Sequence, residues 1–157
     1  MEDRIKKAVE MYKTTGFNCS QSVLSQFAAQ FGMDRDTALR AACGFGAGMG
    51  RSGNMCGAVT GGMIVLGLRY GMTDPESPED KEKTYEEIGK LLERFKAIHG
   101  SANCTELMGV DIGTPEGMQE AQDKDLSDTV CSRIVGDVTR ILEELLADGP
   151  RIRIQKD

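Results

Sequence analysis

The stretch GFGAGMGRSGNMCGAVTGGMIVLGLRYG, residues 44–71, decides how this chain folds. Its first half is rich in glycine, and its second half, from Gly57 to Leu68, is apolar almost throughout. The length of the apolar run and its lack of alternation favour a buried central helix over a strand. Its glycines lower helix propensity but allow other backbones to approach closely. Cys56 lies at the junction, where the flexible part ends and the apolar part begins.

The rest of the chain shows the spacing of amphipathic helices and no sustained alternation of the kind a strand needs. Residues 73–80 and 109–117 are predicted to be loops, and Gly149-Pro150 is predicted to end the last helix. We therefore predict a single all-α domain over residues 1–157, a bundle of five to seven helices. Besides the central segment, helices are expected near residues 3–13, 19–31, 36–42, 85–98 and 130–145, with a short one after Asn103.

The overall composition excludes several classes of function. At 157 residues the chain can bury a hydrophobic core, and its net charge of -6 argues against a nucleic-acid partner, which needs a basic face. No basic segment leads into an apolar run near Met1, so no signal peptide is predicted. The run from Met63 to Leu68 is too short to span a bilayer. We expect a cytoplasmic protein that does not insert into membranes.

Three of the five cysteines fall at predicted helix starts. Cys19 and Cys104 each follow an asparagine that can cap a helix, and Cys56 precedes the central apolar segment. Unpaired backbone N–H groups and the positive end of the helix dipole favour a thiolate there, which predicts a lowered pKa. No C-x-x-C pair occurs, and in a reducing compartment such cysteines are free thiols, metal ligands or redox groups.

The other two cysteines have different surroundings. Cys131 shares a helical stripe with Ile134 and Val135, so its sulfur is expected to point into the core. Cys43 ends a predicted helix beside small residues, and we interpret it as a packing residue. Taken singly, any of these cysteines is typical of a small buried apolar residue. Three at helix starts and a fourth on a core stripe together favour an assembled sulfur site.

Other motifs carry little functional weight. Residues 48–53 formally match G-x-G-x-x-G, but a predicted helix precedes them instead of the strand that a dinucleotide site requires. Arg51 is interpreted as a solvated loop residue. His99 ends the predicted helix of residues 85–98, where a cation suits the helix dipole.

The cysteine pattern resembles the C_GCAxxG_C_C family of redox-active proteins. The resemblance consists of Cys19, the central segment Cys56-Gly57-Ala58-Val59-Thr60-Gly61, and then Cys104 and Cys131. It covers nearly the whole chain, and Cys43 lies outside it. The resemblance implies a small redox-active or metal-binding protein without naming its reaction. Covalent c-type haem is excluded because the chain has no C-x-x-C-H.

Three hypotheses follow. The first is an oxidoreductase-like redox protein acting by thiol–disulfide exchange or electron transfer with a partner protein, with Cys56 as leading nucleophile. The second is that Cys19, Cys56, Cys104 and Cys131 hold an iron–sulfur cluster or zinc. The third is a helical interaction protein with incidental cysteines. Self-association into a homo-oligomer is a further expectation, because glycine-rich helix faces pack closely.

Overall fold

The computed structural model describes residues 1–147 and is all-α, which confirms the predicted class. Among residues 1–147, six helices have seven or more residues, within the predicted range, and they pack in a single body. Gly149-Pro150, predicted to end the last helix, lies outside the described residues. The helices are α1 (Glu2–Thr14), α2 (Cys19–Leu24), α3 (Arg35–Cys43), α4 (Gly46–Met49), α5 (Gly57–Tyr70), α6 (Pro78–His99), α7 (Cys104–Met108), α8 (Pro115–Asp123) and α9 (Ser132–Ala147), with a 3₁₀ turn at Ala28–Phe31 and a π-helical turn at Ser127–Cys131.

Helix α5 is the central element, as predicted for residues 57–68. It packs against α2, α6 and α9, and its small residues set how closely these neighbours approach. A Cβ added at Gly61 would lie 2.8 Å from the carbonyl oxygen of Ser20 on α2. A Cβ added at Gly62 would lie 3.1 Å from the Leu91 side chain on α6. These glycines therefore allow α2 and α6 to approach α5 closely, as the sequence predicts.

Helix α1 packs along α9 and also contacts α2. Ala8 is fully buried in this contact, and Gly136 on α9 leaves room for α1: a Cβ there would lie 3.2 Å from Val9 Cγ2. An ion pair of 2.7 Å joins Lys13, near the end of α1, to Asp128 in the π-helical turn. The end of α1 is thereby fixed beside the segment that leads to Cys131.

Several predicted boundaries are wrong. The helix expected over residues 19–31 ends at Leu24 and continues as a turn and a 3₁₀ segment, which Gly32 stops in the left-handed conformation. Helix α6 begins at Pro78, inside the predicted loop, because proline suits the first helical position. Helix α8 begins inside the predicted loop 109–117. Within residues 1–147, β-type backbone pairing is limited to an isolated antiparallel bridge between Met55 and Asn103.

Within residues 1–147, no helix combines the length and the apolar character that crossing a membrane would require.

Candidate functional site

The four cysteines Cys19, Cys56, Cys104 and Cys131 line one cavity of about 550 Å³. They come from four separate parts of the chain, the starts of α2, α5 and α7 and the π-helical turn before α9. Much of the remaining wall is apolar, with Phe17, Ile112 and Met118 among the lining residues. The fold therefore brings together the four residues that the sequence singles out, and their role as ligands or nucleophiles remains a prediction.

Cys19 is fixed by an N-terminal cap on α2. The Asn18 side chain accepts a hydrogen bond from the Gln21 N–H at 3.0 Å, and the Gln21 side chain accepts one from the Asn18 N–H at 3.0 Å. This reciprocal pair is the capping box that the sequence predicts. The same asparagine donates from Nδ2 to the Cys43 carbonyl oxygen at 2.9 Å, which ties the start of α2 to the end of α3. Cys19 is therefore held at the first position of α2.

Cys56 and Cys104 are positioned by backbone pairing between two short segments. The Cys56 N–H donates to the Ala102 carbonyl at 2.8 Å, and the Cys104 N–H donates to the Asn54 carbonyl at 2.6 Å. The Thr105 N–H continues the pairing with the Gly53 carbonyl at 3.2 Å. Cys56 itself is the residue that precedes α5, in place of the predicted cap residues Asn54 or Ser52. Two cysteines far apart in sequence are thus fixed in register by main-chain hydrogen bonds.

Cys131 ends the π-helical turn of residues 127–131. Its sulfur lies 3.2 Å from the Met108 sulfur, and Tyr12 lines the same cavity. The predicted orientation into the core is met only in part, because Cys131 is half-buried and borders the cavity. Widened π-helical turns are frequent at functional sites, and here the turn leads directly to the cysteine.

Glycines form the cradle in which these sulfurs lie. A Cβ at Gly57 would overlap the Cys19 sulfur and lie 2.8 Å from the Phe45 carbonyl oxygen. A Cβ at Gly48 would lie 2.7 Å from Cys104 Cβ, and its φ of +68° is itself unfavourable for other residues. Gly57 and Gly61, the two glycines of the C-G-A-x-x-G segment, both face α2, so this motif is the surface on which Cys19 and its helix pack.

The glycine-rich loop before Cys56 has an unusual backbone. Residues 47–51 all have positive φ, among them the non-glycine residues Ala47, Met49 and Arg51. Such a conformation costs about 1–2 kcal/mol for each L-residue with a side chain. Ala47 and Cys19 both line the cavity, and the Ala47 N–H acts to lower the pKa of the Cys19 thiol. Strained backbone that persists in a folded protein tends to lie at functional sites, and Ala47 of this loop lines the cysteine cavity.

Burial raises the pKa of all four thiols, that of Cys104 to about 11 and that of Cys131 to about 12. The N–H groups of Ala47 and Ala58 act in the opposite direction on the pKa of Cys19, but burial outweighs them. The lowered pKa predicted from the helix starts is therefore wrong, because the same starts are buried. A negative charge on Cys19 further raises the pKa of the other three, so the four resist ionising together unless a cation lies among them.

Cys43 does not belong to this group. It is the last residue of α3, it is exposed, and it does not line the cavity. The interpretation of Cys43 as a packing residue is wrong, because the C-terminal turn of α3 presents this side chain to solvent. It provides a matched control for experiments on the other cysteines.

The geometry also bears on what the cavity can hold. Among residues 1–147, no three His, Cys, Asp or Glu side chains converge closely enough to hold a single metal ion. The cysteines surround a volume instead of a point, and the cavity is within the usual size range for small ligands and cofactors.

Two parts of the site are absent from the sequence-based prediction. Tyr12 on α1 lines the cavity, and its hydroxyl lies 2.7 Å from Ser127 Oγ. Helix α8 contributes Met118 to the wall. The start of α8 has a recognisable signal, because Thr114 caps it and Pro115 occupies its first position. No signal in the sequence marks Tyr12, whose place on an amphipathic stripe is typical of a core residue.

The fold and site thus define an all-α protein with a four-cysteine cavity built on a glycine-rich central helix. The family model described as "Putative redox-active protein (C_GCAxxG_C_C)" matches residues 17–145, which include all four cysteines of the cavity. The chain belongs to this family. Comparisons with curated proteins and with solved structures give no match. Helix α1, with Tyr12, precedes the matched residues.

Proposed function

We propose that this protein transfers electrons through an iron–sulfur cluster held by Cys19, Cys56, Cys104 and Cys131. The observation that carries the proposal is the convergence of these four thiols on one cavity. The family match supports redox activity in general, and the cluster is the finer proposal. Four cysteine thiolates are the usual ligand set of such clusters, which supply one-electron redox chemistry when bound. A redox partner protein would deliver and remove the electron.

The residues of the cavity fit such a group in two respects. Four sulfurs on separate elements line one cavity, which is the number of thiolates that such a cluster takes. Backbone hydrogen bonding from Ala47 and Ala58 acts to lower the pKa of Cys19, and that from Val59 and Ala58 acts to lower the pKa of Cys56, against the larger effect of burial. Hydrogen bonds of this kind stabilise sulfur ligands and adjust the potential of a cluster.

Thiol–disulfide exchange is less well supported by the same geometry. All five cysteines of the chain are free thiols, and Cys56, the expected nucleophile, is 6% exposed. Burial raises the pKa of Cys56 well above its ordinary value, so little thiolate forms near neutral pH. Exchange requires an accessible thiolate.

Single cysteine substitutions test the proposal. The full-length protein and its variants Cys19→Ala, Cys56→Ala, Cys104→Ala, Cys131→Ala and Cys43→Ala would be reconstituted without oxygen from ferrous iron and sulfide. We expect the first four variants to lose most of the bound iron and visible absorption, because each lacks a ligand. Cys43→Ala is the matched control and should bind as much iron as the wild type.

The proposal fails if the wild type binds no iron and sulfide, or if Cys43→Ala loses as much as the other variants. If the wild type binds zinc and no sulfide, the four cysteines form a zinc site and the iron–sulfur proposal is wrong.

A further inference from the structure

The cysteine cavity has two sides of different character. Its floor contains Cys56 and Cys104, which are buried, whereas its rim contains Gln122, Asp125 and Ser127, which are exposed. The rim belongs to the segment between α8 and the π-helical turn, and the floor belongs to the starts of α5 and α7. The cavity therefore opens to solvent beside residues that the proposed cysteine ligands do not include.

Asp125 is the one charged side chain, among residues 1–147, that lines this cavity. Its main chain is fixed on both sides, because its N–H donates to the Gln122 carbonyl at 3.0 Å and its carbonyl accepts from the Thr129 N–H at 3.0 Å. Its φ of +50° is a conformation that aspartate adopts more readily than most residues. The carboxylate is thus attached to the rim by a well-defined backbone.

Two lysines that adjoin lining residues in the chain are already paired. Lys124 forms an ion pair with Glu120, and Lys13 forms one with Asp128 at 2.7 Å. The cysteine thiols add no charge near neutral pH, because burial raises their pKa. The metal-free cavity therefore carries a single negative charge, that of Asp125, which favours a cation over an anion.

The wall between floor and rim suits an aromatic ring. It includes Phe17, Ile112 and Met118, and methionine adapts its shape and makes favourable contacts with aromatic rings. The cavity volume of about 550 Å³ is several times the ~150 Å³ that accommodates benzene, so a bicyclic ring fits. Arg35 lies over the Phe17 ring, 5.6 Å from its centroid, and does not itself line the cavity.

We propose that this cavity binds a small aromatic amine, with its ring against the apolar wall and its ammonium group at the Asp125 carboxylate. The inference goes beyond the proposed function and is independent of it, because it uses the wall and the rim and needs no metal. A molecule in this position covers the cysteines, so its binding should shield them from reagents.

The test uses three naphthalene derivatives that carry a methylammonium, a hydroxymethyl or a carboxylate group at the same ring position. Their binding to the metal-free full-length protein would be measured by calorimetry. We expect the ammonium derivative to bind about tenfold more tightly than the carboxylate derivative, because Asp125 attracts the first and repels the second.

Substitution of the carboxylate tests the position of the charge. Asp125→Asn should weaken binding of the ammonium derivative about threefold, the usual scale of an exposed ion pair, and leave the hydroxymethyl derivative unchanged. Asp123→Asn is the matched control, because it removes the same charge from an exposed residue of α8 that does not line the cavity. It should bind the ammonium derivative as the wild type does.

Cysteine labelling gives a second measurement on the same protein. The ammonium derivative at saturation should slow the maleimide labelling of half-buried Cys131, which lines the cavity. Labelling of exposed Cys43 should be unchanged, because Cys43 does not line the cavity.

The inference fails if no derivative binds, if the ammonium and carboxylate derivatives bind equally, or if Asp125→Asn and Asp123→Asn weaken binding equally. Equal slowing of labelling at Cys43 and Cys131 would also refute it. If Asp125→Asn does not fold, the three derivatives and the labelling of the wild type decide. Iron and sulfide have no part in these measurements, so the proposed function can fail while the inference holds, and the reverse.

Discussion

The substitution Gly57→Ala tests whether Cys19 can approach α5 only because residue 57 of the C-G-A-x-x-G segment has no side chain. Gly57 is the first residue of α5 and has no positive φ, so alanine can adopt its backbone conformation. Helix propensity alone predicts that alanine is more stable than glycine by up to about 1 kcal/mol. The added methyl would instead overlap the Cys19 sulfur and lie 2.8 Å from the Phe45 carbonyl oxygen.

The size of the effect follows from these contacts. Forcing a methyl group into a packed site costs about 1–3 kcal/mol, which exceeds the propensity gain. We therefore expect Gly57→Ala to lower the free energy of unfolding by about 1–2 kcal/mol. Gly67 offers a matched control in the same helix, because a Cβ there would meet nothing within 4 Å. Gly67→Ala should raise the free energy of unfolding by about 0.5–1 kcal/mol.

The assay is guanidinium unfolding of the metal-free protein, followed by helical circular dichroism and extrapolated to zero denaturant. Iron binding after reconstitution is the second measurement, and it should fall in Gly57→Ala and be unchanged in Gly67→Ala. Equal stabilisation by the two substitutions, with full iron binding in both, would refute the account of the glycine cradle.

Three further predictions concern the same cavity. Gly48→Ala should lower the free energy of unfolding by more than Gly50→Ala. Both residues have positive φ, but only Gly48 would place a Cβ 2.7 Å from Cys104 Cβ. Equal losses of unfolding free energy, measured by denaturant unfolding, would contradict this. The metal-free protein should lose stability between pH 9 and pH 11, because the unfolded Cys104 thiol releases its proton near pH 9 while burial raises the folded pKa to about 11. Cys104→Ser should reduce that loss of stability. If the variant and the wild type have the same pH dependence of unfolding, the Cys104 thiol does not contribute to it. In the metal-free protein at neutral pH, maleimide should label exposed Cys43 much faster than Cys56, which is 6% exposed. Equal labelling rates, measured by mass spectrometry, would support Cys56 as a nucleophile.

Much of the scaffold could be predicted from local sequence. The apolar run of residues 57–68 predicts a buried helix because few other structures bury so continuous an apolar segment. Asn18 and Asn103 predict helix starts because their side chains satisfy free N–H groups within the next turn, at 3.0 Å in both cases. The positions of Cys19 and Cys104 follow from these caps.

The rest depends on contacts between distant parts of the chain. The pairing that fixes Cys56 beside Ala102 joins segments that share no local pattern. The sign of the thiol pKa shifts could not be predicted either, because a helix start lowers a pKa only when burial does not outweigh it. The environment of Tyr12 could not be predicted either, because its position on the apolar stripe of α1 does not indicate that its hydroxyl forms a hydrogen bond with Ser127.

The most direct test of the central claim is the iron and acid-labile sulfide content of the full-length protein purified without oxygen, together with its visible spectrum. The account predicts coloured protein that contains both iron and sulfide and shields its four cavity cysteines from alkylation. Colourless protein without iron or sulfide, in which all five cysteines titrate as free thiols after reconstitution has been attempted, would contradict it.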